Sequence, residues 1–273
     1  MHRVAVIGCG LIGGSIELAA RERIPGIELI ALDRGDALSA AAESDLIVLA
    51  VPIGEIPGLL GRLAPVVSSH SLITDTGSTK AHIVEAARGL RFIGGHPIAG
   101  AAASGRFAAR RDLFVGRSWV LTPGADADPQ DVERLRTFVQ QLGATPHVLA
   151  ADEHDRLFAF TSHLPQLVVS ALMEVVGSSV GAEGLALAGP GLRDTTRLAS
   201  SHPDIWRDIV RTNDGNIGLA IDALIAGLLR LRADSGASLT AMFESAAGWR
   251  AVLEGAESAK DAERATHGDT KDT

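Results

Sequence analysis

Gly8-Cys9-Gly10-Leu11-Ile12-Gly13 is the stretch that decides how this chain folds. Arg3-Val4-Ala5-Val6-Ile7, just before it, has the apolar texture of a buried strand, and Leu11 to Arg21, just after, reads as a helix. A glycine spacing alone says little in a chain with 30 glycines, but strand, turn and helix in this order give it meaning. Gly8 permits the tight turn, Gly10 lets a phosphate approach the backbone, and Gly13 allows the helix to pack close to the strand. The helix start then offers amide donors and a positive dipole end to an anion. Glu28-Leu29-Ile30-Ala31-Leu32-Asp33 forms a second strand, and its terminal acid lies 20 residues beyond Gly13. A carboxylate there accepts hydrogen bonds from the adenosine ribose hydroxyls and repels a 2′-phosphate. The implied cofactor is NAD, with Arg34 softening the exclusion of NADP. Val51 and Pro52, closing the third strand, join Gly8, Gly10, Leu11, Ile12, Gly13, Asp33 and Arg34 as expected cofactor-site residues.

Outward from the turn, Asp45 to Val51, Leu72 to Asp75, Phe92 to Gly95, Ser118 to Thr122 and Thr145 to Leu149 read as further strands, with helical patterns between them. This alternation predicts a Rossmann-type, doubly wound parallel sheet over residues 1–151. Only eleven residues separate Asp33 from Asp45, enough for one short helix. The usual third strand of the first half is therefore expected to be missing; as an edge strand it is lost without unpairing neighbours on both sides. From Asp152 the texture changes to Leu-, Ala- and Val-rich helices, predicting an all-helical domain over 152–256. Leu167 to Val180 and Ile217 to Leu229 are apolar nearly all round, which calls for burial on most sides and favours a homodimer through this domain over a dense monomer core. Residues 257–273 are polar and charged and are expected to be a disordered tail.

Bulk properties narrow the function classes. A net charge of −8 without a dense basic run argues against a nucleic-acid surface. The single cysteine, Cys9, rules out an internal disulfide and fits a reducing, cytoplasmic setting. Its place in the glycine turn favours packing over chemistry. Met1-His2-Arg3 leads straight into strand and turn with no secretion signal, and Ile217 to Leu229, interrupted by Asp222, is too short to span a bilayer. No Cys/His spacing suggests a metal.

The chemistry sits in polar clusters placed at strand ends or along the first helices of the second domain. These are DTGSTK (75–80), GGHPIAG (94–100), DEHDRLFAFTSHLPQ (152–166) and GLRDTTRLASSHPDIWRDI (191–209). Singly, each has a structural reading: a capped helix start, a turn, a charged solvated helix face. Jointly they matter, because ligands bind at the carboxyl ends of parallel strands, where Ser78 and His96 both fall.

With VIGCGLIGGS (6–15) and GRSWVLTP (116–123), these motifs make nearly the whole chain resemble the prephenate/arogenate dehydrogenase family of tyrosine biosynthesis. The resemblance implies a Rossmann domain, a helical dimerisation domain and a cleft between them. It also implies NAD-linked oxidation of a cyclohexadienol at C4, with loss of the ring carboxylate from a prephenate-like dicarboxylate. His96 resembles the catalytic base and Ser78 the residue aligning it with the substrate hydroxyl. Arg197 resembles the carboxylate-binding arginine, whose planar fork suits bidentate recognition. His154 resembles another active-site histidine and Trp206 a pocket wall, while His163 serves either the pocket or helix packing. The chain departs from the family at Gln166, where many relatives read SHLPH, and at Ala101-Ala102, where many carry an acid. No regulatory or fused mutase domain is expected. Arogenate and 4-amino-4-deoxyprephenate stay open as substrates, and a non-catalytic NAD-binding regulator is the reading from another class.

Overall fold

In the computed structural model, which describes residues 1–100, 105–233 and 236–268, one seven-stranded sheet organises the first half of the chain. Strands β1 (Arg3–Ile7), β2 (Glu28–Leu32), β3 (Leu46–Leu49), β4 (Leu72–Asp75), β5 (Phe92–Pro97), β6 (Ser118–Pro123) and β7 (Thr145–Val148) lie in the order β2-β1-β3-β4-β5-β6-β7. β2 is the edge and β1 pairs directly with β3, so the third strand of the usual first half is missing as expected. Its place is taken by one short 3-10 turn, Leu38–Ala41.

The sheet is parallel through β5, and there the structure departs from the expectation. β6 runs antiparallel to β5, pairing His96 with Val120, and β7 then returns parallel to β6. A parallel return needs a crossover of a dozen or more residues, usually a helix. Among the described residues of 98–117, the only helical element is the 3-10 turn Arg106–Ala108. The chain instead folds back from the same end of the sheet.

Helices α1 (Leu11–Arg23), α2 (Ile56–Leu63), α3 (Ala81–Ala86) and α4 (Pro129–Gln141) cover the sheet. Alternate strand residues feed two cores. Val4, Val6, Leu46, Val48, Leu72, Trp119 and Leu121 pack with α1 and α4 on one face. Ala5, Ile47, Leu49 and Ile73 pack with α2 on the other, and that second core also takes in Ala159, Ile209, Ile217 and Ala220 of the helical half. The two halves thus share a core along one sheet face.

The helical half comprises α5 (Ala151–Phe158), a π-helical turn (Ala159–His163), α6 (Leu164–Leu185), α7 (Pro190–Thr195), α8 (Pro203–Thr212), α9 (Asp214–Ala233) and α10 (Ala237–Gly268). The run Ala151–Leu185 is long and apolar enough to cross a membrane by length and composition, yet only 6% of its most apolar window is buried within the chain. Leu172, Val175, Leu219, Leu228, Phe243 and Trp249 stand exposed on α6, α9 and α10. Where the sequence suggested a tail from 257, α10 continues to Gly268, through a stretch whose alanines, glutamates, lysine and arginine are good helix formers. Residues 269–273 lie outside the described residues, as do Ala101 and Ala102.

Candidate active site

The glycine turn is built from two kinds of glycine. Gly8 has φ +101°, and a Cβ there would lie 2.4 Å from the Ala50 carbonyl oxygen. A Cβ on Gly13 would lie 1.9 Å from the Gly8 oxygen, so helix α1 packs where only glycine fits. Gly10 differs: a Cβ there would meet nothing within 4 Å. That open space, at the first turn of α1 with Leu11 and Ile12 half-buried behind it, fits a pyrophosphate brought against the backbone. The Gly8 N–H donates to the Leu32 carbonyl at 2.8 Å, tying the turn to the strand that ends in Asp33.

Asp33 is exposed at the end of β2, its Oδ1 accepting the Arg34 N–H at 2.8 Å. The Arg34 guanidinium turns to Glu55, 2.7 Å away. Val51 stands beside Gly8 and Pro52 follows it on the rim. Cys9 is buried and its thiol donates to the Leu32 carbonyl, as a packing residue would. Burial pushes that thiol up, and the Arg106 guanidinium beside it works in the opposite direction.

Sequence reasoning passed over Arg106. The segment holding it lies across the start of α1: Arg106 pairs with Glu17 at 3.2 Å, and the Arg110 N–H donates to Ser15 Oγ at 2.9 Å. The only signal was the arginine cluster 106, 110 and 111, which has no fixed spacing from the glycine turn.

His96 stands at the carboxyl end of β5 and Ser78 on the bend after the adjacent β4, so both leave the same sheet edge. The His96 ring is buried, with Nδ1 2.8 Å from His154 Nε2 and Phe158 packed on it at 4.9 Å. His154 Nδ1 in turn lies 2.8 Å from Asp155 Oδ1. The Asp155 carboxylate also accepts the Lys80 N–H at 2.7 Å and the Ala81 N–H at 2.9 Å. Lys80 is fully buried; its ammonium donates to the Gly95 carbonyl at 2.7 Å and pairs with Asp75. Asp75 accepts the Gly95 N–H at 3.0 Å and the Gly77 N–H at 2.7 Å, which pins the peptide leading into His96.

This packing sets the charge states. Burial first, then His154, Lys80 and His163, push His96 well below the ordinary imidazole value, leaving it neutral at neutral pH and able to accept a proton. His154 is also lowered by burial, against the pull of Asp155. Burial lowers Lys80, opposed by its pairing with Asp75.

His163 sits on the π-helical turn, buried, with its ring edge-on to Trp206 at 6.2 Å. Asn213 Nδ2 donates to the Asp155 carbonyl at 2.8 Å and lies 3.3 Å from His163 Nδ1. Because a carbonyl can only accept, the Asn213 amino group faces His163, whose ring proton therefore belongs on Nε2. That Nε2 is buried and has no partner among the described residues. Burial also holds His163 down at about 4.

Gln166 does not point freely into the cleft. Its Nε2 donates to the Leu198 carbonyl at 2.7 Å, and its Oε1 accepts from Ser201 Oγ at 3.1 Å. It thereby clasps the turn Arg197–Ser200 onto α6. Arg197 itself is exposed at the rim and has no ion pair among the described residues. His154, likewise expected to face substrate, has both ring nitrogens engaged by protein groups.

Two family models match in tandem: the prephenate dehydrogenase nucleotide-binding domain over residues 10–148, and the prephenate dehydrogenase dimerization domain over 150–234. The chain belongs to the prephenate dehydrogenase family. It is 34% identical over 255 residues to the prephenate dehydrogenase of Bacillus subtilis (strain 168), a match covering 84% of this chain and 69% of that one. It is 27% identical to the cyclohexadienyl dehydrogenase of Zymomonas mobilis, covering 84% and 87%. Among solved structures, the prephenate dehydrogenase of Aquifex aeolicus in complex with hydroxyphenyl propionate and NAD+ superposes with a TM-score of 0.85 at 25% identity, covering 93% and 98%. The Synechocystis arogenate dehydrogenase gives 0.81 at 29% identity, covering 92% and 99%. The family's fold, a parallel-dominated sheet followed by a helical domain, is the fold found here.

Proposed function

We propose that this chain is a prephenate dehydrogenase, carrying out the NAD-dependent oxidative decarboxylation of prephenate to 4-hydroxyphenylpyruvate. The observation that carries this reading is His96: buried, neutral and fixed at the carboxyl edge of the sheet that also carries the glycine turn. The nucleotide-binding unit spans 1–151 and the helical substrate and dimerisation unit begins at 152.

NAD, when bound, supplies the hydride acceptor. Gly8, Gly10, Leu11, Ile12 and Gly13 receive its pyrophosphate, Asp33 its adenosine ribose, and Val51 and Pro52 border it. Arg34, next to Asp33, has its guanidinium paired with Glu55. Arg106 adds a cation beside the phosphates.

His96 takes the proton of the substrate's C4 hydroxyl, and Ser78 hydrogen-bonds that hydroxyl to keep it aligned. Arg197 binds a substrate carboxylate through its planar fork. His163 presents Nε2–H to the substrate, and Trp206 walls the pocket. Gln166 acts through the segment it clasps. His154 lies behind His96.

Purified protein with NAD and prephenate should generate NADH absorbance and 4-hydroxyphenylpyruvate; the absence of both sinks the assignment. Arogenate and 4-amino-4-deoxyprephenate share the reacting ring face, and kcat/KM across the three substrates ranks them. The chain works as a cytoplasmic homodimer through its helical half, without nucleic-acid or membrane partners. A second copy covers the exposed apolar faces of α6 and α9, a reading supported by the dimerization-domain match and by that exposure.

A further inference from the structure

The reaction proposed above has a proton balance that the buried groups around His96 match. The C4–H bond breaks with its electron pair leaving to the nicotinamide. The bond to the ring carboxylate breaks with its pair entering the ring as CO2 departs. The hydroxyl proton goes to His96, and the ring, now aromatic, carries a phenolate that needs one proton to leave as a phenol. Prephenate is a dianion and 4-hydroxyphenylpyruvate a monoanion, so charge closes with the hydride alone. No proton is taken from solvent or released to it. The proton removed at the start is the one required at the end.

The tautomers follow from Asp155. Both of its oxygens accept backbone N–H groups, from Lys80 and Ala81, and Oδ1 also faces His154 Nδ1 at 2.8 Å. An ionised carboxylate only accepts, so His154 must carry its proton on Nδ1. His154 Nε2 is then a lone pair, and His96, 2.8 Å away, must donate to it from Nδ1. This leaves His96 Nε2 as the unprotonated nitrogen, the state a base needs. His154 and Asp155 are 0% and 1% exposed, and Phe158 stacks on His154 at 4.4 Å. The chain of hydrogen bonds ends in a carboxylate inside the protein and not at water.

We propose that His154 and Asp155 are positioning residues that fix the proton-accepting tautomer of His96 and keep the substrate's hydroxyl proton within the protein until the phenolate takes it back. The charge gained by His96 is shared with His154 and balanced by Asp155. The two residues belong to α5, the first helix of the helical half, whereas His96 and the Lys80 and Ala81 amides belong to the sheet half. The base is therefore assembled across the junction of the two halves.

The inference rests on the reading of the site as a prephenate dehydrogenase, and the test separates the two. Turnover of wild-type enzyme on prephenate and NAD judges that reading. Ring-¹⁵N histidine NMR of the enzyme without substrate judges the tautomers whatever the turnover, with His96→Asn and His154→Gln spectra supplying the assignments. Both His96 and His154 are expected as the Nδ1–H form, and an Nε2–H form on either ring overturns the proposal. Asp155→Asn keeps an amide oxygen toward the Lys80 N–H and His154 Nδ1 and removes the charge that balances the protonated pair, so both rings should keep the Nδ1–H form. kcat should then fall roughly 10²-fold or more, with KM for prephenate and NAD within about threefold. A KM that rises as far as kcat falls marks Asp155 as merely structural and overturns the proposal, as does an unchanged kcat. If Asp155→Asn does not fold, His154→Gln decides. Its amide oxygen still accepts from His96 Nδ1, so the His96 tautomer should persist while kcat drops about tenfold for want of a ring to share the proton. Wild-type kcat in that variant overturns the proposal.

Discussion

Gln166 donates from Nε2 to the Leu198 carbonyl at 2.7 Å, so a side chain on α6 holds the short turn that begins with Arg197. This gives the departure at Gln166 a physical role. Gln166→Ala removes the amide donor to the Leu198 carbonyl and the acceptor for Ser201, leaving that carbonyl only its contacts with Ser201. Losing such a hydrogen bond costs about 0.5–1.5 kcal/mol. Because the cost falls on the arginine segment, KM for prephenate should rise about tenfold while kcat moves less than about twofold. Steady-state kinetics check this, and an equal fall in kcat at unchanged KM would remove Gln166 from substrate binding.

Gly10 and Gly13 should answer the same substitution in opposite ways. Gly10 has φ −74° and ψ −157°, an extended conformation open to any residue, and free space where a Cβ would go. Gly10→Ala should therefore fold normally, with stability unchanged or raised by about 0.5 kcal/mol. Its NAD affinity should fall at least about tenfold, because the methyl occupies the approach to the pyrophosphate. Gly13→Ala drives a methyl into the Gly8 carbonyl and should lose more than about 3 kcal/mol or fail to fold. Denaturant melts and NAD fluorescence titration separate the two; a Gly10→Ala variant that binds NAD normally contradicts the placement of the cofactor.

Cofactor choice is expected to turn on Asp33 more than on the Arg34–Glu55 pair. Both partners of that pair are well exposed, and such bridges contribute little. Glu55→Gln alone should raise kcat/KM with NADP by no more than a few-fold. Asp33→Ser removes the carboxylate that repels a 2′-phosphate and should shift the NADP/NAD ratio by at least about tenfold. If both variants keep the wild-type ratio, the ribose does not sit at Asp33.

These cases mark what the sequence made legible. The turn, Asp33 and the missing third strand could be read because each is local: a backbone conformation, a strand end, a span too short for another strand. The direction of β6 could not, since Ser118-Trp119-Val120-Leu121-Thr122 alternates equally well in either orientation. The Asp155 network was hidden for a different reason. Asp152-Glu153-His154-Asp155 looks like a solvated helix start, and only the fold brings Asp155 to the amides of Lys80 and Ala81, more than seventy residues earlier. Gln166 was visible as a departure, but its partners lie on a turn whose position depends on how α6 and α8 pack.

Acid should affect activity and stability through the same buried histidines. His96 is faced by Lys80 and Asp75 from the β4–α3 segment, by His154 and Asp155 from α5, and by His163 from the π-helical turn; with burial dominant, it is lowered well below 6.5. The acid limb of kcat/KM is thus expected below pH 6.5, since protonation removes the base. For stability, groups with lowered folded-state values bind fewer protons folded than unfolded. Their contribution is complete above the unfolded value and is lost as pH falls toward the folded one. With His163 at about 4, the urea midpoint should decline from about pH 6.5 down to about 4. His163→Gln should flatten part of that decline. An acid limb at or above 6.5 would contradict the buried, neutral base.

The exposed apolar faces of the helical half predict a dimer that single polar substitutions weaken. Val175 on α6 is 57% exposed and Leu228 on α9 is 56% exposed, and neither α6 nor α9 has an amphipathic pattern that would turn its apolar side inward. A helix apolar all round is stable in water only when another surface covers it. Sedimentation or light scattering should give twice the chain mass for the wild type. Val175→Asp combined with Leu228→Asp would place two carboxylates in that buried contact, each costing several kcal/mol unless ionisation or association is given up. The double variant should run as a monomer or aggregate through its uncovered faces, while the sheet half keeps its NAD affinity. A wild-type chain that stays monomeric at micromolar concentration overturns the dimer, and a double variant that stays dimeric moves the interface away from α6 and α9.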